Sequence, residues 1–351
     1  MRGGSRRITP LAPKMMNLHK RYKRFKGLLC LIMLILVPMT MTAQEATLLK
    51  QKKFPKTVPA GTYSGITWLG GSRYAVVNDK SPMAGFYQMT IENDSISGDL
   101  LSARVDSFMT SGQPNRDEEG VCFVPQTQNL FVSGEADGQV IEYDLNGQLT
   151  GRKLQVPEVF KTAYRNGSLE ALTYQAQTHR FWTTSEFTLQ ADGDKSTIKK
   201  KIKNRLRMQS FGDDLLPKEQ YWYETDSTKT KKKKGTDILG VSGLAALDDG
   251  RLIVLERELY FPKKRIGSYA HVKLYLVDPT RHQPGDILDK TLLAEFRTKI
   301  NLTRRNFANF EGICIGPRLS DGRRLIILIC DSQNQANGFL RDWFKPIVVK
   351  P

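Results

Sequence analysis

Five copies of one short phrase bring acidic or hydroxyl side chains to the same position of a repeated segment. The copies are Tyr63-Ser64-Gly65-Ile66, Glu118-Glu119-Gly120-Val121, Leu169-Glu170-Ala171-Leu172, Val241-Ser242-Gly243-Leu244 and Phe310-Glu311-Gly312-Ile313. Two apolar runs separated by a turn follow each copy, and an acidic residue closes the segment. The closing residues are Asp79, Glu135, Glu186, Glu256 and Asp331. Carboxylate oxygens are preferred ligands of calcium. Glu119, Glu170, Glu311 and Asp331 are therefore candidate metal ligands, with calcium as the favoured ion.

Arginines and asparagines stand beside these acids along the chain. Arg116 precedes Glu119, Arg165 and Asn166 precede Glu170, Arg305 and Asn309 precede Glu311, and Arg257 follows Glu256. Guanidinium groups bind phosphate and carboxylate groups through paired N–H donors. Arg116, Arg257, Arg305 and Asn309 are therefore candidates for holding an anionic substrate. A second interpretation stays open, in which the recurring acids hold the repeats together by bonding backbone N–H groups and these arginines.

The sequence disfavours a serine esterase. No Gly-x-Ser-x-Gly segment marks a nucleophile elbow. Beyond the N-terminal leader the only histidines are His179, His271 and His282, and we expect each of them at the surface. A Ser–His mechanism on Ser64 or Ser242 is therefore disfavoured. If the protein hydrolyses a substrate, a carboxylate-bound metal that activates water is the sensible route. Glu119, Glu170 and Glu311 would then be catalytic, as ligands or as general base.

Each copy of the phrase opens a unit of short strands. In the second unit the sequence predicts strands at 120–124, 130–133, 139–143 and 149–156, separated by turn-forming residues. Four-stranded antiparallel units repeated at intervals of tens of residues are typical of β-propeller blades. We expect an all-β propeller of five blades. Six blades are the alternative, because the long interval between Ala171 and Gly243 has room for a degenerate one.

The last unit needs a strand from elsewhere. It has room for strands only at 313–315, 325–329 and 344–349. Segment 46–54 is predicted to add the missing outer strand and close the ring, which leaves no open sheet edge.

Strand direction then places the acids. The first and second strands of a blade run antiparallel, so the residue before the first strand and the residue after the second lie at the same end. If the first strands line the channel, the ten serine and acidic positions should gather around one mouth.

Residues 1–43 do not belong to this domain. They carry nine Lys and Arg residues and no acid, followed by an apolar run from Gly27 to Val37 and a polar segment that ends at Ala43. This is the layout of a secretory signal peptide. We predict export to the periplasm or the medium, with 44–351 as a single propeller domain. An uncleaved anchor is the alternative, although the apolar run is short for a membrane span.

The formal charge is +17, and part of the excess lies in lysine-rich runs at 195–207 and 229–234. One interpretation is a patch for anionic polymers or surfaces. The favoured one is a pair of solvated loops. No stacking aromatic residues are interleaved with the lysines, so nucleic-acid binding is not expected.

Three cysteines lie beyond the leader: Cys122, Cys314 and Cys330. Their spacing does not fit a structural zinc site. A disulfide between Cys314 and Cys330 is one interpretation. Buried free thiols packed as small apolar side chains are the preferred one.

The segments 166–172, 241–258 and 306–331 share a Gly or Ala preceded by Glu or Ser, in two of them with Asn and Arg just upstream. In this they resemble the extracytoplasmic phytase-like family described as having esterase-like activity of phytase. The resemblance covers nearly all of the chain from about Ser64 onward. It implies a β-propeller that hydrolyses phosphoesters or other esters. We expect a monomer that acts on a small anionic or phosphorylated substrate. A non-enzymatic propeller that binds a ligand or protein partner is the alternative.

Overall fold

The computed structural model describes Met1 and residues 46–350, apart from 233, 264, 302 and 304. The chain divides into two units, 1–43 and 44–351, and all of the described strands lie in the second. The predicted signal peptide lies outside the described residues except for Met1, so it stays a prediction. No helix in the described part of the chain combines the length and apolarity that crossing a membrane requires.

Twenty strands form five four-stranded antiparallel sheets. The first strand, β1 (Ala46–Leu48), belongs to the last blade. Blade 1 contains β2 (Tyr63–Gly70), β3 (Arg73–Asn78), β4 (Met83–Asn93) and β5 (Leu100–Pro114). Blade 2 contains β6 (Glu118–Val124), β7 (Asn129–Gly134), β8 (Gln139–Tyr143) and β9 (Leu149–Lys153). Blade 3 contains β10 (Ala171–Gln175), β11 (Arg180–Thr184), β12 (Arg205–Phe211) and β13 (Pro217–Glu224).

The last two blades follow the same order. Blade 4 contains β14 (Thr236–Ala246), β15 (Leu252–Phe261), β16 (Tyr269–Val277) and β17 (Lys290–Lys299). Blade 5 contains β18 (Asn309–Arg318), β19 (Arg324–Asp331) and β20 (Phe344–Val349), with β1 at its outer edge. Short 3-10 helices occupy three connections, at Glu158–Thr162, Pro279–Arg281 and Ala336–Gly338.

The predicted five-bladed ring is confirmed. The first strand of every blade packs against the first strands of the blades on both sides, in the closed order β2, β6, β10, β14, β18 and again β2. β1 pairs antiparallel with β20, as predicted for the closing strand, through Ala46–Val349 and Leu48–Ile347. The alternative of six blades is wrong, because the long interval between Ala171 and Gly243 contains a loop, 185–204, instead of extra strands.

One apolar cluster fills each space between neighbouring blades. Alternate residues of a strand face opposite sides of its sheet. On β3, Ala75 and Val77 pack toward blade 2, while Tyr74 and Val76 pack toward blade 5. Each blade is thus buried on both faces, and the five interfaces together fix the position of every first strand around the channel.

Glycine in the repeated phrase permits close approach of the first strands. A Cβ atom on Gly65 would lie 2.2 Å from the backbone oxygen of Glu119, and one on Gly120 would lie 2.7 Å from Cβ of Leu172. No side chain fits there without moving the next blade. Blade 3 instead has Ala171, which is buried.

The three described cysteines are free and buried. Cys314 belongs to the cluster between blades 5 and 1, whereas Cys330 belongs to the cluster between blades 4 and 5. The two thiols therefore lie on opposite faces of blade 5. The disulfide interpretation is wrong, and packing as small apolar side chains is confirmed.

Candidate functional site

The mouth is the end of the channel at which the first strands begin. In blades 1, 2, 4 and 5 the pairing of the first two strands shifts by an extra residue there, at Ser64, Glu119, Ser242 and Glu311. Such a β-bulge re-aims the side chain of the extra residue. In blade 3, Glu170 holds the corresponding position directly before β10. We call these five residues the inner ring.

A second set of five residues follows the second strands. Ladder pairing or backbone hydrogen bonding places them at equivalent positions: Asp79, Glu135, Glu186, Arg257 and Asp331. We call them the outer ring. The two rings together hold seven carboxylates at one mouth, as predicted for blades 1, 2, 3 and 5. Blade 4 contributes a serine and an arginine instead of an acid.

Glu256 was expected at the mouth and does not lie there. Val241 pairs with Glu256 and Gly240 pairs with Arg257, just as Phe310 pairs with Cys330 and Asn309 with Asp331. Arg257 therefore occupies the outer ring in blade 4. Since neighbouring residues on a strand face opposite ways, Glu256 points into a separate network. There it accepts hydrogen bonds from the Tyr223 hydroxyl and the Lys290 ammonium, each at 2.6 Å.

The two serines of the inner ring join blades to each other. Ser64 Oγ donates to the backbone oxygen of Glu118 at 2.6 Å, and Ser242 Oγ donates to that of Phe310 at 3.1 Å. Both hydroxyls are buried. Their bonds to the next blade agree with the expectation that neither serine is a nucleophile.

Two groups of three carboxylates lie at the mouth and share Glu119. In each group, one carboxylate oxygen per residue lies within 4.8 Å of the others. The Asp79 group consists of Asp79, Asp117 and Glu119. The Glu170 group consists of Glu119, Glu135 and Glu170.

The groups differ in how their charge is balanced. Lys80 pairs with both Asp79, at 3.2 Å, and Asp117 in the first group. The Glu170 group has no such cation among the described residues. Glu119 and Glu170 are 7 % and 8 % exposed, and neither carboxylate accepts a hydrogen bond from any described residue. Among the oxygens of both groups, only Asp79 Oδ1 is fully buried without a hydrogen-bond partner in the described part of the chain. Carboxylate oxygens that lack protein partners suit a hard cation, so each group is a candidate cation site.

Burial and mutual repulsion raise the pKa of these acids. For Glu119, burial is the main cause of the raised pKa, followed by the charges of Glu170 and Glu311. For Glu170, burial again comes first, followed by the charges of Glu186 and Glu135, while the charge of Arg257 acts in the opposite sense. An ion bound between these carboxylates would replace the protons that crowding otherwise favours.

Arg257 is the counter-charge of the mouth. Its side chain is 6 % exposed and pairs with Glu186 at 2.9 Å and with Glu311. Asn309 donates to Glu311 Oε1 at 2.8 Å and accepts from Arg257. Burial raises the pKa of Glu311 to about 8 even though Arg257 lowers it. Glu311 and Asn309 thus belong to an ion-pair network at the edge of the Glu170 group, in line with the structural interpretation of these residues.

Three other candidate residues have different surroundings from those expected. Arg116 forms a two-point pair with Asp137, at 2.7 and 2.9 Å, and holds the turn between β7 and β8. Arg305 is exposed, with its guanidinium 5.8 Å from the centre of the Phe339 ring. The carboxylate of Asp331 accepts hydrogen bonds from the backbone and side chain of Gln333. None of the three faces the carboxylate groups as a free ligand.

Asp117 was not among the predicted site residues. It has a positive φ of 57°, and its backbone N–H donates to Asn115 Oδ1 at 2.7 Å. Left-handed backbone is unusual for a residue with a side chain and marks a tight turn. The signal in the sequence is the Asn115-Arg116-Asp117 turn directly before Glu118-Glu119.

The histidines lie outside both rings. His179 is exposed in the turn between β10 and β11, at the end of the channel opposite the mouth. His282 is partly buried in a turn, contrary to the predicted surface position. His271 is also not at the surface, since it is 2 % exposed on β16 and contacts Glu295. Burial lowers the pKa of His271.

A cleft of about 480 Å³ opens beside the mouth. Asp117 and Glu135 line it, so both carboxylate groups border the cleft. Lys161, which pairs with Glu158 at 2.8 Å, and Arg165 line it from the connection between blades 2 and 3. Arg165 is exposed and forms no ion pair with a described residue. The cleft thus combines carboxylates with basic side chains, a set of groups that suits an anionic organic molecule next to a bound cation.

Comparison with known proteins identifies one family. The model of the family described as "Phytase-like: Esterase-like activity of phytase" matches residues 58–333. A search of curated proteins gave no match.

Solved structures with a similar fold are distant in sequence. They include an endo-arabinase from Bacteroides thetaiotaomicron, with 15 % identity and a TM-score of 0.45, covering 86 % of this chain and 97 % of the other. A luciferin-regenerating enzyme has 10 % identity and a TM-score of 0.43, covering 86 % and 95 %. A duf4221 family member from Bacteroides vulgatus has 11 % identity and a TM-score of 0.40, covering 88 % and 99 %. At such TM-scores none of these likenesses bears on function.

Proposed function

The chain belongs to the phytase-like family, and from this membership and the geometry of its mouth we propose that it is an exported, calcium-dependent hydrolase of phosphoesters or related anionic esters. The N-terminal leader supports export. The family's description supports an esterase-like reaction. The basic side chains that line the cleft beside the carboxylates support an anionic substrate.

One observation carries the proposal. Glu119 and Glu170 are more than nine-tenths buried, lie in one group of carboxylates, and accept no hydrogen bond from any described residue. Two ionised carboxylates held side by side in a buried site cost free energy unless protons or a cation balance their charge. We propose that the Glu170 group holds calcium. The Asp79 group, which Lys80 already neutralises in part, is the weaker candidate.

Bound calcium would supply positive charge that draws a phosphoryl or carboxylate group toward the mouth and polarises it. Arg165 and Lys161, which also line the cleft, would orient the anionic molecule and exclude other poses. Glu119 and Glu170 would keep the cation in place. Arg257 would hold Glu186 and Glu311 in position and oppose the rise in their pKa values that burial causes.

Glu311 is suited to moving a proton. Its pKa of about 8 lies near neutrality, where a group exchanges protons most readily in either direction. Its Oε1 atom is held by Arg257 and Asn309. The second oxygen, Oε2, accepts no hydrogen bond from a described residue. We propose that this oxygen holds or releases the proton of the reaction.

Turnover by the mature protein tests this function. The substrates are phytate, nitrophenyl phosphate and nitrophenyl esters, each assayed with calcium and with a chelator. We expect calcium-dependent turnover that a Glu119→Gln, Glu170→Gln double variant lacks. The matched control is Glu92→Gln, a change at an exposed residue of β4. Equal rates for wild type and the double variant would contradict the proposal. Calcium binding without any turnover would instead favour a propeller that binds its ligand without hydrolysis.

A further inference from the structure

The two lysine-rich runs meet on the mouth side of the propeller. The first lies in the connection between β11 and β12, and the second lies between β13 and β14. The two connections begin at the ends of β11 and β13. Both of these ends lie on the mouth side, because strands alternate in direction within a blade. The ammonium of Lys201 donates to the backbone oxygen of Thr230, which joins the two runs directly.

A buried carboxylate fixes the second run. Glu258 is 5 % exposed and accepts hydrogen bonds from Thr228 Oγ1 at 3.0 Å and from the backbone N–H groups of Lys229 and Thr230 at 3.1 Å each. The Tyr269 hydroxyl donates to the same carboxylate at 3.0 Å. The segment is a solvated loop, as the sequence favoured, and four hydrogen bonds to one carboxylate anchor one side of it to the blade.

Because Glu258 holds one side of segment 228–231 against the blade, the lysines on the other side of the segment face the solvent. Thr228 and Thr230 are buried, while Lys229 and Lys231 between and after them are exposed. The exposed lysines of both runs form what we call the lysine surface: Lys199, Lys200, Lys201, Lys203, Lys229, Lys231, Lys232 and Lys234. Only two of them pair with acids among the described residues, namely Lys200 with Asp194 and Lys203 with Glu224.

We propose that the lysine surface binds a linear polyanion that lacks bases, such as polyphosphate or an acidic polysaccharide. Lysines are compact point charges that attract closely spaced anionic groups without stereospecific pairing. Several unpaired lysines held on one fixed surface give such a polymer many simultaneous contacts. The proposal does not depend on hydrolysis at the mouth.

The surroundings disfavour other macromolecules. Binding of single-stranded nucleic acid uses aromatic faces on which bases stack. The nearby Trp222 ring is covered by the guanidinium groups of Arg205 and Arg207, at 4.4 and 4.7 Å from its centre. Anionic membrane surfaces also attract clustered lysines, but stable attachment adds apolar side chains that insert among the lipids. No large apolar side chain of either described run is exposed.

Binding of labelled polyphosphate and labelled heparin to the mature protein tests the proposal. The variant is Lys229→Ser, Lys231→Ser, Lys232→Ser, whose three side chains are exposed. The control removes the same charge elsewhere through Lys50→Ser, Lys56→Ser, Lys153→Ser. At low salt we expect the lysine-surface variant to bind at least one polymer about ten-fold more weakly and the control to bind within about two-fold of wild type. Melting temperatures of both variants should match wild type.

Several results would overturn the proposal. They are absence of wild-type binding to both polymers at low salt, and equal weakening in the two variants. Tighter binding to anionic phospholipid vesicles than to either polymer would identify a membrane surface instead. Tighter binding to single-stranded DNA would identify a nucleic-acid partner.

Discussion

Arg257 stands in blade 4 at the position that Asp331 holds in blade 5, because each pairs with the residue two places before the bulge of its blade. One cation thus replaces one carboxylate in a ring of acids. Its guanidinium contacts Glu186 of blade 3 and Glu311 of blade 5. Arg257 therefore joins three blades across the mouth.

Replacing Arg257 should destabilise the protein strongly. An Arg257→Met change leaves Glu186 and Glu311 buried without a counter-charge, and breaking a buried pair in this way costs about 3–5 kcal/mol. The loss should be smaller at pH 5, where the glutamates can take up protons. Urea unfolding of wild type and variant at pH 5 and pH 8 measures both effects. Arg305→Met, at an exposed position, is the control and should change stability by about 0.5 kcal/mol or less. A loss for Arg257→Met that is no greater than the control's would show that the network contributes little.

Stability without calcium should fall as the pH rises from 5 to 8. The pKa values of Glu119, Glu170 and Glu311 are raised on folding, the last from 4.5 to about 8. A raised pKa stabilises the fold below the unfolded value, and that contribution is lost as the pH rises through the folded value. His271, with its lowered pKa, acts in the opposite direction below about pH 6.5 but is a single group.

Melting temperature in chelator and in calcium measures this effect. We expect the melting temperature in chelator to decrease between pH 5 and pH 8. Calcium should raise it more at pH 8 than at pH 5, because the ion competes with protons for the same oxygens. A melting temperature in chelator that increases steadily over this range would refute the assignment of crowded, uncompensated carboxylates.

A methyl group at Gly65 should disturb both the fold and the mouth. Its Cβ would lie 2.2 Å from the backbone oxygen of Glu119, so blades 1 and 2 must separate. Overpacking of this kind costs about 1–3 kcal/mol. The matched change is Ala171→Gly, which opens the equivalent position in blade 3 and should cost about 0.5–1 kcal/mol. Denaturant unfolding compares the two variants, and Gly65→Ala should be the less stable. The reverse order would mean that the first strands tolerate a wider channel.

The architecture follows from local patterns in the sequence. Alternating apolar residues and turn-forming residues define each blade, and counting the strands of the last blade identifies 46–54 as the segment that closes the ring. Strand direction then places Glu119, Glu170 and Glu311 at one mouth. All of these inferences depend on short-range features, which a single sequence contains.

The details of the site depend on features that no short-range pattern specifies. The pairing register of the first two strands decides which residue reaches the outer ring. In blade 4, Gly243 pairs with Leu255, which places Arg257 at the mouth and leaves Glu256 one residue short of it. Arg116 and Glu258 have partners in other turns and loops, Asp137 and Thr228. Such pairings are set by tertiary packing, so the sequence could nominate these charged residues but not their partners.

Calcium titration of the mature protein by isothermal calorimetry tests the central claim most directly. Glu119 belongs to both carboxylate groups, so Glu119→Gln removes a ligand from each. We predict that wild type and the Glu92→Gln control bind calcium with equal affinity at pH 7.5. Glu119→Gln should bind it at least about 100-fold more weakly, as expected for the loss of a buried ligand. The absence of calcium binding by wild type, or unchanged affinity in Glu119→Gln, would contradict the account.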